Sequence, residues 1–247
     1  MDQSDGSTVS TGIVIFARLD SARLPGKVLI DLAGAPILDW TVRRCRAAGM
    51  PVMLATTDRI LDDPVAGFAA GAGLEIYRGD THDVLGRALA AAWAFGLETL
   101  IRVSGDSPFI DPAVVTAVAR VHARECPDLT TNVFPRTFPP GISAEALPLA
   151  TLERLDAEVA DAGLREHVTL HIYEAPEAYR IVNVTANGPD YREDGHAGLH
   201  LAVDTPADFA RAEWIARRLP SRDAGLAEIA RLAREHDMKT SEEGIAT

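Results

Sequence analysis

Cysteine is scarce: Cys45 and Cys126 are the only two in 247 residues, and they form no C-x-x-C pair. That argues against a disulfide framework, a zinc knuckle or dithiol redox chemistry. No apolar run reaches the roughly 18 residues needed to span a bilayer. The start, Asp2 to Thr11, lacks the cationic and apolar layout of a signal peptide. A cytoplasmic protein without membrane contact is expected. Basic residues are the minority, 24 Lys and Arg against 36 Asp and Glu, for a net charge of −12. Non-specific binding to nucleic acid or an anionic membrane is thereby disfavoured. Both common phosphate loops, G-x-x-x-x-G-K-[ST] and G-x-G-x-x-G, are missing. His167 and His171 stand four apart, but the H-E-x-x-H arrangement of a zinc protease is absent.

What is present begins with a hydrophobic fraction of 47%, enough for a sizeable core in one large α/β domain. Apolar runs at Ile13–Phe16, Val52–Thr56, Leu74–Tyr77 and Thr99–Val103 read as buried strands. Helical spacing fills the gaps at Ile37–Ala48, Pro64–Ala72 and Asp83–Phe95, with Asp62, Asp63 and Asp83 placed at helix starts. This alternation predicts a mostly parallel sheet covered by helices, whose ligand crevice lies at the carboxyl ends of the strands. A helix is expected from Pro112 to about Arg124 and a strand over Leu129–Asn132, after which Pro135, Pro139, Pro140 and Gly141 break the pattern. Residues 133–198 read as a smaller inserted subdomain carrying a helix over Thr151–Ala162 and a strand over Ile181–Val184. Leu199–Val203 reads as a further strand, with Leu201–Asp204 returning to the main sheet. Helices over Ala207–Leu219 and Leu226–His236 close a domain spanning 12–238, leaving 1–11 and 239–247 as flexible tails.

Several segments carry chemistry. The first strand opens into Ala17-Arg18-Leu19-Asp20-Ser21-Ala22-Arg23-Leu24-Pro25-Gly26-Lys27. Arg18, Arg23 and Lys27 supply charge-assisted donors suited to a polyphosphate, and Gly26 permits close backbone approach; alone, three cations are also compatible with a solvated turn. Asp106 follows one apolar strand and Asp204 another. Each carboxylate is able to cap a helix or to hold Mg2+, a cation that takes one or two carboxylates plus phosphate oxygens and water. Arg78, Asp83 and Arg87 offer donors and an acceptor, with Asp83 as a helix cap pairing with Arg87 as the structural alternative.

The pattern A-R-x-x-S-x-R-L-P-G-K resembles the opening loop of the cytidylyltransferases that make CMP-activated acid sugars, of the spore-coat polysaccharide and CMP-Kdo synthetase types. The resemblance runs from about residue 12 to 217. It implies a Rossmann-like, GT-A-like nucleotidyltransferase fold, CTP and a small anionic acceptor as substrates, Mg2+ as cofactor and a homodimer. On the family's phosphate-binding positions fall Arg18, Ser21, Arg23 and Lys27, with Ala17, Gly26 and Ser104 beside them. G-D-S-P-F-I-D-P and V-D-T-P-A-D match its metal motifs at Asp106 and Asp204. Thr56, Thr57 and Asp58 match a strand end near the cytosine. R-G-D-T-H-D-V-L-G-R, with Arg78, Asp83 and Arg87, matches a segment near base and ribose.

Acceptor binding is implied for Asn132, Arg136, Gly141 and Glu145 in N-V-F-P-R-T-F-P-P-G-I-S-A-E and for Arg165, Glu166 and His167 in R-E-H-V-T. Three positions depart from the family: Ser143 replaces an Asp, Phe16 a Gln or Pro, and His200 an Arg. These departures predict an unusual acid sugar, phosphate or phosphonate as acceptor, and only weak use of Kdo. The alternatives are a glycosyltransferase and an inactive nucleotide-binding domain. The basic loop disfavours the first, because a diphosphate donor needs less gripping, and the retained Lys27, Asp106 and Asp204 disfavour the second.

Overall fold

A computed structural model of the chain describes residues 11–245. Residues 1–10, most of the expected N-terminal tail, and residues 246–247 lie outside the described residues. Seven strands form one sheet: β1 (Thr11–Phe16), β2 (Val52–Thr57), β3 (Ile76–Gly79), β4 (Thr99–Ser104), β5 (Leu129–Thr131), β6 (Glu145–Pro148) and β7 (Ile181–Asn183), in the spatial order β3-β2-β1-β4-β6-β5-β7. β1 pairs in parallel with β2 and β4, and β2 with β3, whereas β6 runs antiparallel to both β4 and β5. The order reverses between β1 and β4, where a doubly wound sheet opens its ligand crevice.

Period-two alternation on β1 distributes side chains to two cores. Ile13 and Ile15 pack on one face with α1 (Ile37–Arg46), α2 (Asp63–Gly71), α4 (Pro112–Glu125), α8 (Pro206–Ala216) and α9 (Leu226–Ile245). Val14 and Phe16 pack on the other with α3 (Val84–Ala94), α5 (Leu149–Glu158) and residues near α7 (Leu170–Glu174), just after the short α6 (Ala162–Arg165).

Three expectations are corrected. Leu199–Val203 is not a strand; it is a connection that buries Leu201 and Val203 and whose backbone makes isolated bonds, Leu201 N–H to the Pro140 carbonyl (2.7 Å) and Val203 N–H to the Asp106 carbonyl (3.1 Å). The strand beside β4 is instead β6, from within the stretch read as an insertion, so β6 and β7 extend the main sheet. Lys239 does not begin a loose tail, since α9 continues to Ile245, supported by Lys239 to Glu235 at 2.8 Å.

Candidate active site

At the carboxyl ends of β1 and β4 lies a cleft of about 440 Å3. The loop after β1 forms one wall. Gly26 sits at φ 71°, a left-handed conformation that favours glycine, and its N–H closes the loop onto the Leu19 carbonyl at 2.9 Å. From inside the protein the wholly buried Asp62 accepts the Leu19 N–H at 2.6 Å and the Thr57 hydroxyl. The sequence placed Asp62 at a helix start, but its side chain caps nothing and anchors this loop instead.

The turn directs Lys27 toward two aspartates. Its ammonium donates to Asp106 Oδ2 at 2.5 Å and to Asp204 Oδ1 at 2.7 Å, and Arg23 reaches the same Asp204 oxygen at 3.3 Å. Burial lowers the lysine's pKa, but the two carboxylates outweigh it and hold Lys27 above its ordinary value. Asp204 shows the counterpart: burial raises its pKa, and Lys27 and Arg23 more than reverse this, leaving it below the usual carboxylate range.

Neither aspartate caps a helix. Asp111 caps α4 by accepting the Ala113 N–H, and Thr205 with Asp208 forms a capping box on α8. Both carboxylates are therefore committed to the cleft. Two hard oxygen donors converging on one small cationic group suit Mg2+, with phosphate and water completing the shell. Among the described residues no cluster of three or more His, Cys, Asp or Glu competes for that role.

Other sequence-selected residues divide by position. Ala17, Arg18, Ser21, Arg23, Ser104 and Arg87 line the cleft, and Glu166 and His167 close it from the far side. Arg18 meets Glu166 across it at 3.4 Å. Arg87 is 5% exposed, and burial and the nearby Arg18 lower its pKa; it donates to the Asp80 carbonyl rather than to Asp83.

The remainder lie outside the cleft lining and brace it. Arg78 donates to the carbonyls of Thr57 (3.0 Å) and Arg59 (2.7 Å), fixing the end of β2, where Thr56 and Thr57 are buried and Asp58 is exposed. Asp83 caps α3 through the Gly86 N–H and takes a two-pronged contact from Arg165 (3.0 and 2.7 Å), which also binds Asp156 at 2.6 Å. Arg165, matched to acceptor binding in the sequence, thus clamps α3 to α5. Asn132 holds the 142–144 backbone through the Ile142 carbonyl (2.5 Å) and the Ala144 N–H (2.9 Å). Gly141, at φ 95°, lies so close to Leu201 and Ala202 that a Cβ would collide with their backbone, and this approach seats the segment ending at Asp204. Arg136 contacts the Ser143 hydroxyl at 3.2 Å. Glu145 is buried beneath the cleft.

Arg102 was missed. It lines the cleft from β4, and its Nη1 donates to Glu145 Oε2 at 2.6 Å. The period-two pattern signalled only a polar position between Ile101 and Val103; its registered partner Glu145 is 43 residues away.

The family model for cytidylyltransferases matches residues 12–240. A spore coat polysaccharide biosynthesis protein, SpsF of Bacillus subtilis (strain 168), is 30% identical over 245 residues, covering 93% of this chain and 97% of that protein. The 3-deoxy-manno-octulosonate cytidylyltransferase of Mesorhizobium japonicum is 30% identical over 243 residues, covering 84% and 99%. A cytidylyltransferase structure from Leptospira borgpetersenii superposes with a TM-score of 0.83 at 24% identity, covering 93% of this chain and 96% of that one. A CMP-2-keto-3-deoxy-manno-octonic acid synthetase complexed with CTP superposes with a TM-score of 0.59 at 21% identity, covering 83% and 97%. A basic loop and two aspartates converging on its lysine at the carboxyl-terminal edge of this sheet, together with a family match over nearly the whole chain, place the protein in the cytidylyltransferase family, as a CTP-dependent nucleotidyltransferase.

Proposed function

We propose that the protein transfers CMP from CTP to a hydroxyl of a small acid sugar and releases pyrophosphate. A new bond forms between the acceptor oxygen and the α-phosphorus. The bond from that phosphorus to the β-bridging oxygen breaks, the electron pair leaves with pyrophosphate, and the hydroxyl proton passes to solvent water. The observation that carries this reading is the convergence of Lys27, Arg23, Asp106 and Asp204 at the end of a basic loop.

Arg18, Arg23 and Lys27 bind the triphosphate and stabilise charge building on the leaving group. Asp106 and Asp204 hold Mg2+, which when bound neutralises phosphate charge. One of the proteins sharing this fold, from Mycobacterium tuberculosis, is described in complex with manganese, a cation with similar ligand preferences. Glu166 and His167 face the cleft from the 133–198 side, which we assign to the acceptor. The curated relatives act in polysaccharide biosynthesis or on 3-deoxy-manno-octulosonate, and both associations favour a sugar acceptor here.

The test is pyrophosphate release from CTP and Mg2+ across a panel of acid sugars. Acceptor-dependent release with a CMP-conjugate as co-product supports the reading. Consumption of a nucleotide-sugar with release of a nucleoside diphosphate would refute it in favour of glycosyl transfer.

A further inference from the structure

A second cavity, of about 260 Å3, adjoins the main cleft, and the two share Arg102 and His167. Val168, Thr169, Leu170 and Tyr173 complete its wall. It lies on the β6 side of β4, opposite the flank where β2 and β3 end. Its size is near the lower end of ligand pockets, roughly 300 Å3.

Arg102 is fixed before any ligand arrives. It stands directly opposite Glu145 in the antiparallel β4–β6 pair, and Nη1 bonds that carboxylate at 2.6 Å. Glu145 is 4% exposed, and its other oxygen takes the hydroxyls of Thr169 (2.8 Å) and Tyr173 (2.6 Å). The Phe16 ring lies 5.9 Å from the Arg102 guanidinium carbon and equally far from that of Arg87. A planar donor fork is thus held across a strand pair at the junction of two cavities. Among the described residues its Nη1 alone has a hydrogen-bond partner.

Resting on the transfer reading above, we propose that Arg102, aided by His167, binds the carboxylate of the acceptor and thereby selects sugar acids over sugar phosphates. The charge count supports a monoanion. Glu145 already balances the Arg102 charge through Nη1, so what the guanidinium still offers is N–H donors rather than net charge, which suits a singly charged carboxylate. A dianionic phosphoryl group is better served by Arg23 and Lys27, which cluster at Asp106 and Asp204. Arg165, whose donors are taken by Asp83 and Asp156, is replaced by Arg102 in this role.

Steady-state pyrophosphate release with CTP and Mg2+ tests this, comparing wild type, Arg102→Gln and Arg102→Lys. The acceptors are 3-deoxy-manno-octulosonate and N-acetylneuraminate as acids, ribose 5-phosphate and mannose 1-phosphate as phosphates. Wild type should favour an acid. Arg102→Gln should raise the KM for that acid roughly 10- to 100-fold, as loss of hydrogen bonds to a charged partner does. Its KM for CTP, and CTP binding by calorimetry, should stay within about twofold. Arg102→Lys, keeping charge without the fork and serving where the Gln variant fails to fold, should fall between. Preference of wild type for a phosphate, an unchanged acceptor KM, or a rise confined to the KM for CTP would overturn the assignment. Wild type that binds CTP yet releases no pyrophosphate with any acceptor would remove the transfer reading and this inference together.

Discussion

Replacing Lys27 with Met keeps an unbranched side chain of similar reach and deletes the ammonium that joins Asp106 to Asp204. Two charge-assisted bonds, at 2.5 and 2.7 Å, disappear. A hydrogen bond to a charged group contributes about 1.5–3 kcal/mol, but the Asp106 and Asp204 side chains are 19% and 25% exposed and regain water on losing their partner. A net loss of roughly 1–3 kcal/mol is therefore expected. In a chain of this size each kcal/mol moves Tm by about 2–4 °C. Turnover should fall further, by about 10²- to 10³-fold, because an electrostatic donor is removed from developing charge.

The pH dependence gives a second readout. The lowered pKa of Asp204 adds stability that is present above its unfolded value, about 3.9, and is lost as pH falls through the native value. The raised pKa of Lys27 adds stability that is present below about 10.4 and is lost as pH rises through the native value. Lys27→Met removes the second contribution and most of the first, so its Tm profile should be flatter than wild type's below pH 4 and above pH 10. Calorimetric melts over pH 3–11, paired with turnover at pH 7.5, make the measurement. A variant whose melting profile superposes on wild type's, with turnover within threefold, would refute the claim that this ammonium joins the two carboxylates and serves the phosphates.

Chelation of divalent cations should abolish turnover while shifting Tm by less than about 2 °C, since Lys27 already cross-links the two carboxylates; Asp204→Asn should lose most of the Mg2+-dependent rate and need more Mg2+ for what remains in a titration of rate against metal. Gly141→Ala should lose roughly 2–4 kcal/mol by denaturant titration, from a left-handed backbone that no longer suits its residue and a Cβ forced against Leu201. Little change would show that the 201–204 segment yields freely. Initial rates with the four nucleoside triphosphates should favour CTP, because a site built for the cytosine amine leaves groups unpaired with other bases. Preference for a purine would contradict this.

Much of the cleft at the ends of β1 and β4 was legible because its signals are local. An apolar strand that ends in Ala-Arg and runs to Gly26 and Lys27 is one continuous stretch, and Asp106 and Asp204 each follow a short apolar run. The choice between cap and cleft at those aspartates was not local. It required Asp111 and Thr205 to be found capping instead. Long-range charge pairs were unreadable: Arg165 finds Asp83 82 residues away, and Arg102 finds Glu145 across β6, a four-residue strand ending in Pro148 that carries too short a pattern to register. Leu199–Val203 misled for the opposite reason. Its Leu201 and Val203 are buried as a strand's residues would be, but the backbone abuts a glycine, bonds loop carbonyls and joins no strand ladder.

The tight seam between Pro140-Gly141 and Leu201-Ala202 bears on how such an enzyme can change substrates. Because the backbone at Pro140-Gly141 supports the stretch that ends in Asp204, residues 133–198, which we assign to the acceptor, should not behave as a cassette that can be exchanged between relatives. A chimera that shifts the seam should displace Asp204 along with the residues we assign to the acceptor. On that reading, new specificities should arise by point substitution of side chains off the seam, such as Ser143 and Arg136, more readily than by grafting loops.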